Sequence, residues 1–126
     1  MEFDVVEEMI VDNSRFIGIV KLNFNSEDLN ETIKFLEKEY KKSRHICYAY
    51  KTNVDGIEYK KFNDDGEPKG TAGLPILSMI DNTELTNILV IVVRYFGGKK
   101  LGASKLLRTY RKSAIVFSKL QNADVR

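Results

Sequence analysis

The spacing of apolar positions changes several times along the chain, and each change predicts an element. Phe3 to Val11 and Arg15 to Leu22 read as strands, and the turn formers Asp12, Asn13 and Ser14 between them predict a hairpin. Asn25 and Ser26 are helix caps, and Glu27 and Asp28 suit the positive end of a helix dipole. Leu29, Ile33, Leu36 and Tyr40 then recur at helical spacing, ending in Lys38, Lys41 and Lys42, which suit the negative end. Ile46, Tyr48 and Tyr50 alternate with His45, Cys47 and Ala49, as in a strand with two distinct faces. Asp55 and Gly56 mark a tight turn before a partner strand, Ile57 to Phe62.

A loop follows from Asn63 to Gly73, and Pro75 fits the first turn of a short helix running to about Ile80. Asn87 to Val93 is apolar without alternation, as expected of a central strand covered on both faces. Phe96, Gly97 and Gly98 break that run. Leu101 to Leu120 predicts a long helix, with Ala103, Leu106, Leu107, Tyr110, Ala114 and Phe117 on one face and Lys105, Arg108 and Lys112 on another, Arg111 beside them. The order β-β-α-β-β-α-β-α predicts an α+β fold with a mixed, largely antiparallel sheet and helices on one face, leaving the open face or the loop end for a partner.

The length of 126 residues fits one domain, residues 1–126, with no repeat or linker. No apolar run approaches the roughly 20 residues that span a bilayer. The N-terminus is acidic, unlike a signal peptide, and a lone Cys47 forms no intrachain disulfide, so the expectation is a cytoplasmic protein with no membrane partner. The net charge of +2 hides a gradient: residues 1–40 carry ten acidic and four basic side chains, whereas residues 85–126 carry nine basic and one acidic. Such asymmetry fits an anionic partner for the C-terminal third, or equally a solvated basic helix beside the acidic half.

Two loops concentrate the candidate chemistry. Asp64, Asp65 and Glu67 set three carboxylates within four residues, a pattern able to hold a divalent cation or supply a base, and Gly70, Thr71, Ala72 and Gly73 bring together backbone donors suited to a phosphate. The run matches neither a Walker A loop nor a dinucleotide fingerprint. The plainer alternative is a turn with glycines at positive φ and carboxylates capping backbone or bonded to Arg94 or Arg108. The second loop, Arg94 through Gly97, Gly98, Lys99 and Lys100, leads into a helix N-terminus and forms a candidate anion or nucleic-acid site, extended by Lys105 and Arg108. Tyr95 and Phe96 offer stacking surfaces, although Phe96 alone reads more simply as core. His45 and Cys47 share a strand face, but two ligands make no zinc site; Ser104 lacks a placed base, so no catalytic residue, metal or cofactor is assigned.

Three blocks, SRHICYAY (43–50), DDGEPKGTAGLPIL (64–77) and VVRYFGGKKLGASKLLRTY (92–110), resemble in content and order the signature of the IMPACT/YigZ family, with the likeness covering nearly the whole chain. Leu74 stands where many members have Arg or Lys, and Ser104–Lys105 where the pattern often reads Gly-Gly; Lys105 keeps the positive potential. The resemblance implies a fold like domain 2 of ribosomal protein S5, with two main helices on one side of the sheet. It implies one N-terminal-type domain; bacterial members usually add a ferredoxin-like second domain and eukaryotic ones an RWD domain, so these 126 residues are either a single-domain member or part of a longer chain. It also implies a translation-associated, non-enzymatic regulatory or binding module, whose partner is RNA, the ribosome or a ribosome-associated regulatory protein. The alternatives that stay open are an enzyme or binder acting on a phosphorylated small molecule, and a purely protein-binding scaffold.

Overall fold

A computed structural model of the chain describes residues 1–115. The elements are β1 (Val5–Val11), β2 (Ser14–Leu22), a 3-10 turn (Ser26–Asp28), α1 (Leu29–Glu39), β3 (His45–Val54), β4 (Ile57–Asn63), α2 (Gly73–Asp81), β5 (Ile88–Tyr95) and α3 (Ala103–Ala114). The expected continuation of the last helix to Leu120, with Phe117 on its apolar face, lies outside the described residues. The strands form one sheet in the order β1-β2-β5-β3-β4, and every pairing among them is antiparallel.

Both hairpins are closed by two-residue loops whose central residues have positive φ: Asp12 (48°) and Asn13 (66°), then Asp55 (53°) and Gly56 (82°). That backbone matches the twist of the paired strands, and Asp, Asn and Gly reach it at least cost. The apolar run Ile88–Val93 takes the centre of the sheet, with all six side chains fully buried. Its even-numbered residues Ile88, Val90 and Val92 join Phe16, Val20, Cys47 and Ala49 against Ile76 and Ile80 of α2 and Leu106, Tyr110 and Ala114 of α3. Its odd-numbered residues Leu89, Ile91 and Val93 join Ile17, Ile19, Ile46 and Tyr50 against Leu36 of α1, with Leu29 and Ile33 alongside.

The pair of helices on one face is therefore α2 and α3, while α1 lies on the opposite face. The open face expected for a partner is thus occupied over the middle strands. Helical spacing announces that α1 buries a stripe, but carries no information on which side of the sheet receives it. What stays open is the edge strand β4, every residue of which is exposed.

Candidate functional site

The two signature loops converge at one end of the sheet, where β5 leaves and β3 begins. In the DDGEP loop, Asp65 (φ 41°) and Gly66 (φ 85°) form a tight turn closed by Glu67 N–H donating to the Asp64 carbonyl at 3.0 Å. The three carboxylates then diverge. Asp64 accepts from the N–H groups of Gly70 (2.9 Å), Ala72 (3.2 Å) and Gly73 (2.8 Å), so the donors that suited a phosphate are filled by the chain's own carboxylate. Asp65 accepts from Ile46 N–H at 2.7 Å. Thr71 is buried and its hydroxyl donates to the Pro68 carbonyl at 2.5 Å. Gly73 is held against β4: a Cβ there would lie 2.7 Å from Asn63 N.

Glu67 turns inward. Its Oε2 accepts from Arg94 Nη1 at 2.7 Å and from the Tyr110 hydroxyl, while His45 Nε2 lies 3.3 Å from Oε1. The Asp65 carbonyl can only accept, so His45 Nδ1 donates to it at 2.7 Å, and the ring is fixed by that bond. Cys47 donates to the Asp64 carbonyl at 3.1 Å and sits 3.5 Å from the Tyr110 oxygen. Burial pushes both the Tyr110 hydroxyl and the Cys47 thiol well above their ordinary values, so both stay protonated. The divalent-cation and base readings of the acidic loop therefore lose their ligands: each carboxylate already serves backbone or a buried partner.

The basic loop also divides. Arg94 is buried, not offered to solvent; its guanidinium also reaches Ser14 Oγ at 3.4 Å and lies 5.3 Å from the Phe16 ring. Its place in the site is to neutralise Glu67, which corrects the expectation of a surface anion contact. Lys105 is drawn to Asp12 at 2.8 Å, and that hydrogen bond holds the Asp12 carboxyl below its ordinary value. The potential Lys105 was expected to keep at the loop is thus shared with an acid. Gly97 packs on the first hairpin, where its N–H donates to Ser14 Oγ at 3.2 Å. Gly98 has φ +89° in open space. Lys99, Lys100 and Arg108 remain exposed.

Between the loops lies a cleft of about 370 Å³. Arg44, His45, Glu67, Arg94 and Lys100 contribute its polar side, and Pro68, Phe96, Leu101 and Leu106 its apolar side. It opens at the start of α3, whose N-cap is Gly102 (φ 81°) and which no side chain caps. Leu106 N–H bonds the Gly102 carbonyl, but the N–H groups of Ala103, Ser104 and Lys105 have no acceptor within the helix, so a positive dipole end faces the cleft. Phe96 belongs here and not in the core: it is 39% exposed, with the guanidinium groups of Arg44 and Arg94 at 5.4 and 5.6 Å from its ring. Of the residues predicted for an anion site, the structure brings Lys100 and the buried Arg94 to the cleft, whereas Arg108 does not line it. Arg44 and Tyr110 were missed. Arg44 lies inside the first signature block and Tyr110 closes the third, which is the signal for each; beyond it Tyr110 is one apolar position of a helix face among several.

Comparison with known proteins places these features in a wider set. The Impact N-terminal domain model matches residues 12–116. The chain is similar to IMPACT family member YvyE of Bacillus subtilis, 39% identical over 106 residues, which are 84% of this chain and 48% of the relative. A crystal structure of a hypothetical protein superposes with a TM-score of 0.79 at 32% identity, over 87% of this chain and 54% of that one. The two-domain translational regulator Yih1 superposes with a TM-score of 0.59 at 22% identity, over 92% of this chain and 48% of that one, a likeness of fold. The chain spans about half the length of the relatives it matches.

Proposed function

The chain belongs to the IMPACT family, and we propose that it is a non-enzymatic binding module of translation or its regulation, contacting RNA through the cleft at the start of α3. One observation carries the reading: Arg44, Lys100 and the uncapped start of α3 at Gly102 and Ala103 meet at a cleft that, among the described residues, has no carboxylate on its wall other than Glu67, which Arg94 neutralises. Free backbone donors, a positive dipole end and mobile cations are the elements of a phosphate site. Lys99 next to it adds charge at the same rim.

The direction toward translation is taken from the relatives. Yih1 is a translational regulator, and the present chain shares its fold; the role itself is carried over as a proposal, and it is a cytosolic one. A plain protein scaffold would explain the buried Glu67 network but not the cations gathered around the cleft. An enzyme on a phosphorylated metabolite would need the acidic loop free, and Asp64, Asp65 and Glu67 are all engaged.

The test is the affinity for labelled RNA against salt. Phosphate contacts release counterions, so binding should weaken steeply as salt rises, and each contact removed should lower the slope by about 0.7 for a single strand. Arg44→Glu and Lys100→Glu should each weaken binding and flatten that dependence. Absence of binding at low salt, or binding indifferent to both reversals, overturns the RNA reading. Ribosome co-sedimentation that survives both reversals would instead assign the contact to a ribosomal or ribosome-bound protein.

A further inference from the structure

We propose that the cleft is a pocket for one unpaired nucleotide, with a phosphate half and a base half, so that the protein selects single-stranded over duplex RNA. The inference rests on the RNA reading above and specifies what part of the RNA enters.

The cleft has the size of a single small ligand. A volume of about 370 Å³ sits at the lower end of sites that enclose one small molecule, roughly 300–1,000 Å³. A surface that tracks a duplex is a different object: it needs cations spread along a backbone. Here three cations, Arg44, Arg94 and Lys100, meet at one cleft.

The lining divides by chemistry. The phosphate half is made by Arg44, Lys100 and the uncapped start of α3 at Gly102 and Ala103. The base half is made by Phe96, Pro68, Leu101 and Leu106. A plain anion site has no use for that apolar wall, and a plain apolar site has no use for the cations. A nucleotide carries both chemistries within one unit.

Phe96 offers the stacking surface. An aromatic ring 39% exposed between two guanidinium groups is held in orientation without being covered. Stacking on aromatic rings and arginine planes is how proteins engage unpaired bases, and a base still in a duplex cannot present its face to the cleft wall.

Arg94 adds to the polar wall: its side chain is about 95% buried there, with one guanidinium nitrogen on Glu67 at 2.7 Å.

The experiment uses the 126-residue chain, a labelled single-stranded RNA, the same strand in duplex, AMP and inorganic phosphate. The single strand should bind at least tenfold tighter than the duplex. AMP should shift the amide resonances of Phe96, Leu101, Ala103 and Ser104, and inorganic phosphate only those at the start of α3. Phe96→Ala should weaken single-strand binding about 5- to 100-fold, the range for loss of one stacked base, with the salt slope unchanged. Ala103→Tyr fills the cleft from an exposed position and should abolish the single-strand preference in a protein that still folds. Duplex binding equal to single-strand binding, with Phe96→Ala and Ala103→Tyr both neutral, overturns the pocket while leaving the RNA reading standing. AMP binding without RNA binding sustains the pocket and overturns the RNA reading. No response to any of the four probes overturns both.

Discussion

Glu67 ties together segments far apart in the chain, since Arg94 and Tyr110 reach it from 27 and 43 residues away. A buried carboxylate is tolerable only when its charge and lone pairs are matched, and removing one partner strands the other. Glu67→Ala should therefore cost about 3–5 kcal/mol, because Arg94 would be left charged and nearly inaccessible; urea denaturation measures it. Tyr110 supplies a pH dependence of definite sign. Its folded value lies above its ordinary 10.0 and that of Cys47 above its ordinary 9.0, chiefly through burial. The unfolded chain then loses these protons first, so their stabilisation is fully present below about pH 9 and declines as pH rises beyond it. Tyr110→Phe should make the alkaline decline in denaturation midpoint shallower, with the slope between pH 6 and 8 unchanged. The Glu67–Arg94 contact stood in the sequence as one of two open pairings, Arg94 or Arg108. The Tyr110 contact did not, because a tyrosine on an apolar helical face does not announce what its hydroxyl will meet.

Among the elements, the join between the first hairpin and the loop after β5 is the most tightly specified. A Cβ on Gly97 would lie 2.2 Å from the Asn13 carbonyl carbon and oxygen, whereas one on Gly98 meets nothing within 4 Å. Gly97→Ala must push backbone against backbone and should cost about 1–3 kcal/mol as overpacking. Gly98→Ala bears only the strain of φ +89°, about 1 kcal/mol. Paired thermal melts should show Gly97→Ala as the more damaging, and equal losses would mean that the hairpin yields freely. The hairpin was legible, since Asp12 and Asn13 are turn formers between two apolar runs. The helix that follows Gly97 was read as starting at Leu101 and starts at Ala103, because Gly102 holds φ +81° and delays it. The side of the sheet taken by α1 was not legible, since its periodicity is the same on either face.

For the molecule as a whole, stability should fall from the centre of the sheet to its edges. In β5, Ile88–Val93 is sealed on both faces and paired on both sides, by β2 and β3. In β4, one side pairs with β3 and the other is unpaired, and Ile57, Tyr59 and Phe62 are each about half exposed. Local openings free an edge strand without disturbing the core, whereas a doubly covered strand is released only by global unfolding. Native-state hydrogen exchange should therefore show the amides of Leu89 to Val93 exchanging at the global free energy and with the full denaturant dependence of global unfolding. The outward-facing amides of β4 should exchange orders of magnitude faster. If β4 amides proved as protected as those of β5, the edge would have to be covered in solution, because no strand among the described residues pairs with its outer side. Dilution would then separate a second copy of the chain, whose protection fades as concentration drops, from a covering by residues 116–126, whose protection does not.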